Sequence, residues 1–164
     1  MNDAHLHLVV NHFPIIGTIL GLGILVSGIV IKNNPIKNTA YVVFSVVAIF
    51  AFLSMATGEG AEEIVEDMPN IGKLIIHEHE EMAEKLAVVL YVLGIVSLIG
   101  LYTNFKNNSK ATIISYITVV IASFGALLAQ QTGTTGGEIR HTEIRDNALP
   151  NSIEKLNADK ENEE

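Results

Sequence analysis

Along the chain, apolar residues run in four long blocks rather than alternating with polar ones. Residues 4–31, 38–58, 86–105 and 111–137 carry no formal charge when histidine is neutral. Each block is at least as long as the roughly 20 residues that a helix needs to cross the hydrocarbon core of a bilayer. Lipid offers no partner to open backbone groups, so the pattern predicts four spanning α-helices. Short links between them imply an all-α bundle running up, down, up and down. The first block is too long for the core of a signal peptide, has no basic residue ahead of it and lacks a small-residue cleavage site, so it reads as a retained helix.

Composition strengthens this reading. Hydrophobic residues make up 49% of the 164, and the mean hydropathy is positive at +0.38, above what a water-soluble domain of this size usually shows. There is no cysteine. That excludes disulfides, covalently attached c-type haem, cysteine-ligated iron–sulfur clusters and thiolate zinc sites. The domain is expected to span residues 1–145, with an acidic connection at 59–85 and a polar, acidic, disordered tail over 146–164.

The charges are divided by side. The short connections 32–37 and 106–110 hold Lys32, Lys37, Lys106 and Lys110 and no acid, while the other six basic residues and all 18 acidic ones fall on the opposite side. Lysine-bearing short loops stay in the cytoplasm, and acids have little influence on topology. Both termini and the 59–85 connection are therefore expected to face outward from a bacterial inner membrane, into the periplasm.

All six histidines (His5, His7, His12, His77, His79 and His141) lie on that outward side, in three separate places in the chain. An up-down-up-down bundle brings those places to one end, where the imidazoles can share a site. The two halves also echo each other. Lys32-Asn33-Asn34 recurs as Lys106-Asn107-Asn108, an offset of 74 that carries His5 onto His79, and Thr57-Gly58 meets Thr132-Gly133 at 75, which places Glu63 on Glu138. Two repeated hairpins would pack about an axis along the membrane normal.

Helical spacing assigns faces. Gly17, Gly21 and Gly28 form a stripe suited to close helix contact. Pro14 either opens a helix capped by Asn11 or kinks a longer helix that starts at Asp3; in the latter case His5 and His12 share a face, about 10 Å apart along the axis. His79 is in line with Leu86, Leu90 and Leu93 and is the expected inward ligand, whereas His77 lines up with Glu80, Glu81 and Glu84 on a wet face. Ala122, Ala126, Ala129 and Gly133 give the fourth helix a small-residue face for another helix or a flat ring. Glu138 and His141 stand at the Glu-x-x-His spacing of di-iron bundles. Glu59, Glu62, Glu63 and Glu66 read as a solvated acidic helix on the membrane surface, with Glu59, Glu63 and Glu138 able to orient imidazoles.

The stretch His7-Leu-Val-Val-Asn-His12-Phe-Pro resembles the opening of an uncharacterised bacterial family of four-helix membrane proteins. Its members carry two histidines five apart, the second followed by Phe-Pro. They also carry a histidine at the start of the third helix, matched here by His77 or His79, and a Gly-Gly-Glu stretch followed by a histidine, matched by Gly136-Gly137-Glu138 and His141. The resemblance covers residues 5–141 and departs from the pattern at Leu8, where proline is usual, and in the early position of His141. Some members are fused to Rieske-type domains, which implies a setting in electron transfer and makes b-type haem the implied cofactor.

Three functions are then in view. The first is a small membrane cytochrome b that holds one or two haems between imidazole pairs, His12 with His79 and His7 with His141, as an electron carrier rather than a stand-alone enzyme. The second is a non-haem zinc, copper or iron site built from His12, His79, His7, His141, His77, Glu138 and Glu63. The third is a cofactor-free assembly subunit. No nucleophile–base pair, phosphate loop or nucleic-acid footprint is present. The bilayer is one expected partner, a redox protein with a basic docking face is another, and a homo-oligomer fits the same sequence.

Overall fold

The computed structural model describes residues 2–66, 68, 71–141 and 144–145. The expected disordered tail lies outside them. The described chain is α-helical: α1 (Asp3–Val10), α2 (His12–Val30), α3 (Asn34–Val65), α4 (Lys73–Phe105) and α5 (Ala111–Arg140). α1 and α2 form one interrupted span, so four helical units are long and apolar enough to cross a membrane. α2 packs on α3, α3 on α4, α4 on α5, and α5 closes the ring on α2, while α1 leans on α3. This is the expected up-down-up-down bundle.

Local chemistry sets the ends. Asn2 caps α1 by accepting from the His5 amide at 3.0 Å, and Asn33 caps α3 by accepting from Ile36 at 3.1 Å, with Pro35 in the first turn where its missing N–H costs nothing. Pro14 has no N–H to offer the turn before it, and the first span breaks at Asn11, so the helix starts early, at Asp3, and is interrupted. α2 and α4 both end in a left-handed residue, Lys32 at φ 53° and Asn107 at φ 47°. In both, the next amide reaches back to a carbonyl five residues earlier, Asn33 to Gly28 and Asn108 to Thr103, each at 2.9 Å.

The acidic connection differs from expectation. Glu59, Glu62 and Glu63 ride on an unbroken extension of α3, and α4 is already under way at Lys73. The i to i+4 ladder of α3 runs on to Val65 and that of α4 begins at Lys73, so Glu59, Glu62 and Glu63, like Glu78, Glu80, Glu81 and Glu84, stand on the ends of bundle helices rather than on a separate surface helix.

The interior shows an internal repeat at a different register from the one matched by residue identity. In α2 the buried positions are Pro14, Thr18, Gly21, Leu25 and Gly28; in α4 the buried set includes Leu86, Leu90, Leu93, Ser97 and Gly100, each 72 residues later. In α3, Lys37, Ala40, Phe44, Val47 and Ala51 are buried, and in α5 the corresponding Ser115, Thr118, Ala122, Gly125 and Ala129 follow at 78. Steps of three and four residues average 3.5, the spacing that keeps one seam facing a neighbour in shallow-angled packing. Corresponding positions differ in volume because they pack against one another's neighbours. A Cβ on Gly21 would lie 2.6 Å from the Phe44 ring, and one on Gly100 would lie 2.5 Å from Tyr41. The glycine stripe of the first span is thus the seat for α3. Several buried hydroxyls bond within the bundle, with Tyr41 donating to Ser115 at 3.0 Å and Thr118 to the Ile114 carbonyl at 2.8 Å, although the Ser97 hydroxyl is buried without a hydrogen-bond partner among the described residues.

Outward faces are apolar. Leu20, Phe52, Val88, Ile95, Val120 and Leu127 are each at least 60% exposed. A surface of this kind is stable against hydrocarbon and unstable against water, so it suits contact with a lipid bilayer.

Candidate functional site

The end of the bundle away from the lysines carries the six histidines, and two of them turn inward. His7 continues the seam of its span, seven residues before Pro14. It is half-buried, and its Nδ1 lies 3.1 Å from the Ser54 carbonyl and 3.2 Å from Thr57 Oγ1 on α3. His79 holds the matching place on α4, seven residues before Leu86, with Nδ1 3.1 Å from Thr135 Oγ1 on α5; the Thr132 main chain stands beside the ring. Thus His7 with Ser54 and Thr57, and His79 with Thr132 and Thr135, occupy the registers of 72 and 78 that relate the buried seams.

The hydroxyls bear on which ring nitrogen carries the proton. Thr57 Oγ1 donates to the carbonyls of Leu53 and Ser54 at 3.0 and 3.1 Å, and Thr135 Oγ1 donates to the Thr132 carbonyl at 3.1 Å. With that proton spent, each hydroxyl oxygen faces the imidazole as an acceptor, as does the Ser54 carbonyl. The Ser54 carbonyl can only accept, which makes Nδ1 the donor in His7 and leaves Nε2 its lone pair; at His79 the Thr135 hydroxyl is placed to accept from Nδ1 in the same way. The two imidazoles come from spans that do not adjoin in the ring of helices, yet a charge on His7 is felt at His79.

Glycines fit against both rings. A Cβ on Gly136 would lie 2.9 Å from His79 Cε1, whereas one on Gly58 would lie 3.9 Å from His7 Cε1. α5 therefore approaches His79 more closely than α3 approaches His7.

The other expected site residues fall elsewhere. His12 is exposed and bonds through Nδ1 to the Leu8 carbonyl of its own helical turn at 2.8 Å. His5 and His12 do share a face, and it is the outward one that continues through Ile19 and Val26. His12 therefore does not face the interior beside His79, and His7 does. His77 lies on the wet face as expected, 3.8 Å from Glu80 and 3.4 Å from Glu81. These are exposed pairs that contribute little to stability. His141 is exposed just beyond α5, where its amide bonds to Gly137.

Glu59 and Glu63 are exposed and Glu138 is half-buried. The groups that hold the two inward rings are the Ser54 carbonyl and the Thr57 and Thr135 hydroxyls, not these carboxylates. Between α3 and α4, the Glu62 and Glu80 carboxyl groups lie close to each other. Among the described residues, no group of three or more His, Asp or Glu side chains gathers within reach of one ion. Ala126, Ala129 and Gly133 line an open groove of about 520 Å³ together with Ile15, Ile19 and Gln130, between α2 and α5.

Ser54, Thr57 and Thr135 were not singled out by their residue types. Their signal is a repeated Ser/Thr-x-x-Thr-Gly, Ser54 to Gly58 and Thr132 to Gly136, three residues beyond the Thr-Gly match that the eye finds first. The fold and this end together define a class: a four-helix bundle able to span a membrane, built from two hairpins that each present one inward, Nδ1-anchored imidazole at the same end. No protein-family model, curated protein or solved structure gives a match to the chain.

Proposed function

We propose that the chain is a small membrane cytochrome b-like electron-transfer protein in which His7 and His79 would hold one b-type haem. The observation that carries this is the anchored pair itself. Two imidazoles arrive from non-adjacent spans at one end of the bundle, each with Nδ1 engaged and Nε2 free to coordinate. The donor set fits the group, since neutral imidazole offered through one nitrogen, with the other bonded to a carbonyl or hydroxyl, is the usual state of a haem-ligating histidine. Haem held by two imidazoles supplies one-electron redox chemistry with no iron position open to an exogenous ligand. The helix ends hold the rings, and the bundle keeps bulk water from the interior.

A polydentate zinc, copper or iron site would need a third convergent ligand, and His77, Glu63 and Glu138 do not supply one among the described residues. The lysine loops at 32–37 and 106–110 support a cytoplasmic placement for that end, which puts the histidine end and both termini on the outer face of a bacterial inner membrane. There the acids of α3 and α4 would favour a redox partner with a basic face, whose docking weakens as salt rises.

The test is spectroscopic. Purified full-length protein, titrated with ferric haem in detergent, is expected to take up one haem per chain with a Soret band that moves on dithionite reduction. His7→Ala and His79→Ala should each lose it, and His12→Ala should keep it. A colourless protein carrying stoichiometric metal would overturn the haem reading in favour of a non-haem site. A protein that takes up neither and co-purifies with a respiratory complex would point to an assembly subunit.

A further inference from the structure

The same arrangement of imidazole, main chain and hydroxyl is built twice, by residues related by the registers that also relate the buried seams. From this geometry we infer that Thr57 and Thr135 are the positioning residues of the site. Each fixes the tautomer and tilt of the imidazole on the neighbouring span, so that Nε2 faces the interior. The functional consequence rests on the haem reading above; the tautomer itself does not.

Three features carry the assignment. Each threonine spends its own proton on a carbonyl one turn back, 3.0 to 3.1 Å away, so its oxygen can only accept from the ring. Each is followed by a glycine, Gly58 or Gly136, the nearest place where α3 or α5 meets the ring's Cε1 edge. Serine would serve as well as threonine, because the bond needs only the hydroxyl, whereas valine keeps the shape and removes it. The two stations are unequal. His7 also has the Ser54 carbonyl as acceptor at 3.1 Å, while the hydrogen bond of His79 is to the Thr135 hydroxyl, against a tighter glycine. Thr135→Val should therefore do more harm than Thr57→Val.

The experiment uses the full chain in detergent or nanodiscs. Long-range 1H–15N spectra of histidine-labelled protein without haem are expected to show the Nδ1–H tautomer at His7 and His79, with His79 shifting to a mixture in Thr135→Val and unchanged in Thr135→Ser. Ferric haem titration should show Thr135→Val binding about 10- to 100-fold more weakly, the usual cost of losing a group that orients a ligand, with a changed midpoint potential and with Thr135→Ser near wild type. Helical circular dichroism checks that each variant is folded. An Nε2–H tautomer in the wild type, or a folded Thr135→Val with unchanged tautomer and affinity, would overturn the positioning role. If that happens while His79→Ala loses haem, the haem reading stands and only the threonine assignment falls. A wild type that binds no haem, with the tautomers as stated and disturbed in Thr135→Val, leaves positioning in place and removes the haem reading.

Discussion

Gly136→Ala separates the stability of the bundle from the integrity of its histidine end. The new Cβ would sit 2.9 Å from His79 Cε1 and 3.2 Å from its Nδ1, whereas ordinary contact begins near 3.4 Å. α5 is held along its length by buried contacts, so the ring has to give way, by about 0.5 Å at its edge. The Nδ1 to Thr135 bond, already 3.1 Å, would open to about 3.6 Å, beyond useful hydrogen-bond range. The lost bond costs about 1 kcal/mol. Alanine in a helix returns about 1 kcal/mol relative to glycine. The melting temperature should therefore hardly move, while His79 loses its fixed tautomer and haem binding weakens. Gly58→Ala is the matched control: its Cβ would meet His7 Cε1 at 3.9 Å, an ordinary contact, so the His7 signals and haem affinity should hold while the melting temperature rises with the helix gain of about 1 kcal/mol. Circular dichroism melts with haem titration and histidine 15N spectra read both. A Gly136→Ala protein with wild-type His79 signals and affinity, or equal harm from Gly58→Ala, would refute the close approach of α5 to His79.

The bundle's packing gives a second matched pair. Gly21→Ala drives a methyl to 2.6 Å from the Phe44 ring and should cost about 1–3 kcal/mol, lowering the thermal midpoint, while Gly23→Ala meets nothing within 4 Å and should be neutral or slightly stabilising. Tyr41→Phe removes the buried bond to Ser115 but leaves Ser115 donating to the Ala111 carbonyl, so a loss of about 1 kcal/mol in a denaturant or thermal melt is expected. Because the chain has no cysteine of its own, single cysteines report topology cleanly. A membrane-impermeant maleimide added to spheroplasts should label Glu59→Cys and spare Lys32→Cys and Asn108→Cys, and the reverse result would invert the orientation.

Four apolar blocks, lysine-bearing loops and short links were enough to define a four-helix bundle, because in lipid the backbone must satisfy itself within each span, whatever the side chains do. His79 was legible for a similar reason. Its helix is continuous, so simple periodicity through Leu86, Leu90 and Leu93 points it inward. The first span was harder to read. His7, Pro14, Gly21 and Gly28 follow one another at sevens on the inward seam, but three of these four are proline or glycine, which bring little apolar bulk to mark it. The apolar bulk lies instead on the opposite stripe with His5 and His12, and that stripe is outward because its exterior is apolar.

Residue types also misplace the repeat. The identity match at 74 falls on helix ends, where lysine and asparagine recur for reasons of capping, and the one at 75 lies inside α3 and α5, whereas the registers of 72 and 78 appear only when buried positions are compared. The sequence alone determined how many times the chain can cross a membrane, which end carries the lysines, and that the histidines gather at the other. Only the packed bundle decided which histidines turn inward and that hydroxyls and a carbonyl, rather than carboxylates, hold them. Those choices depend on which side chains of separate helices fit against one another, and no single helix's periodicity contains that information.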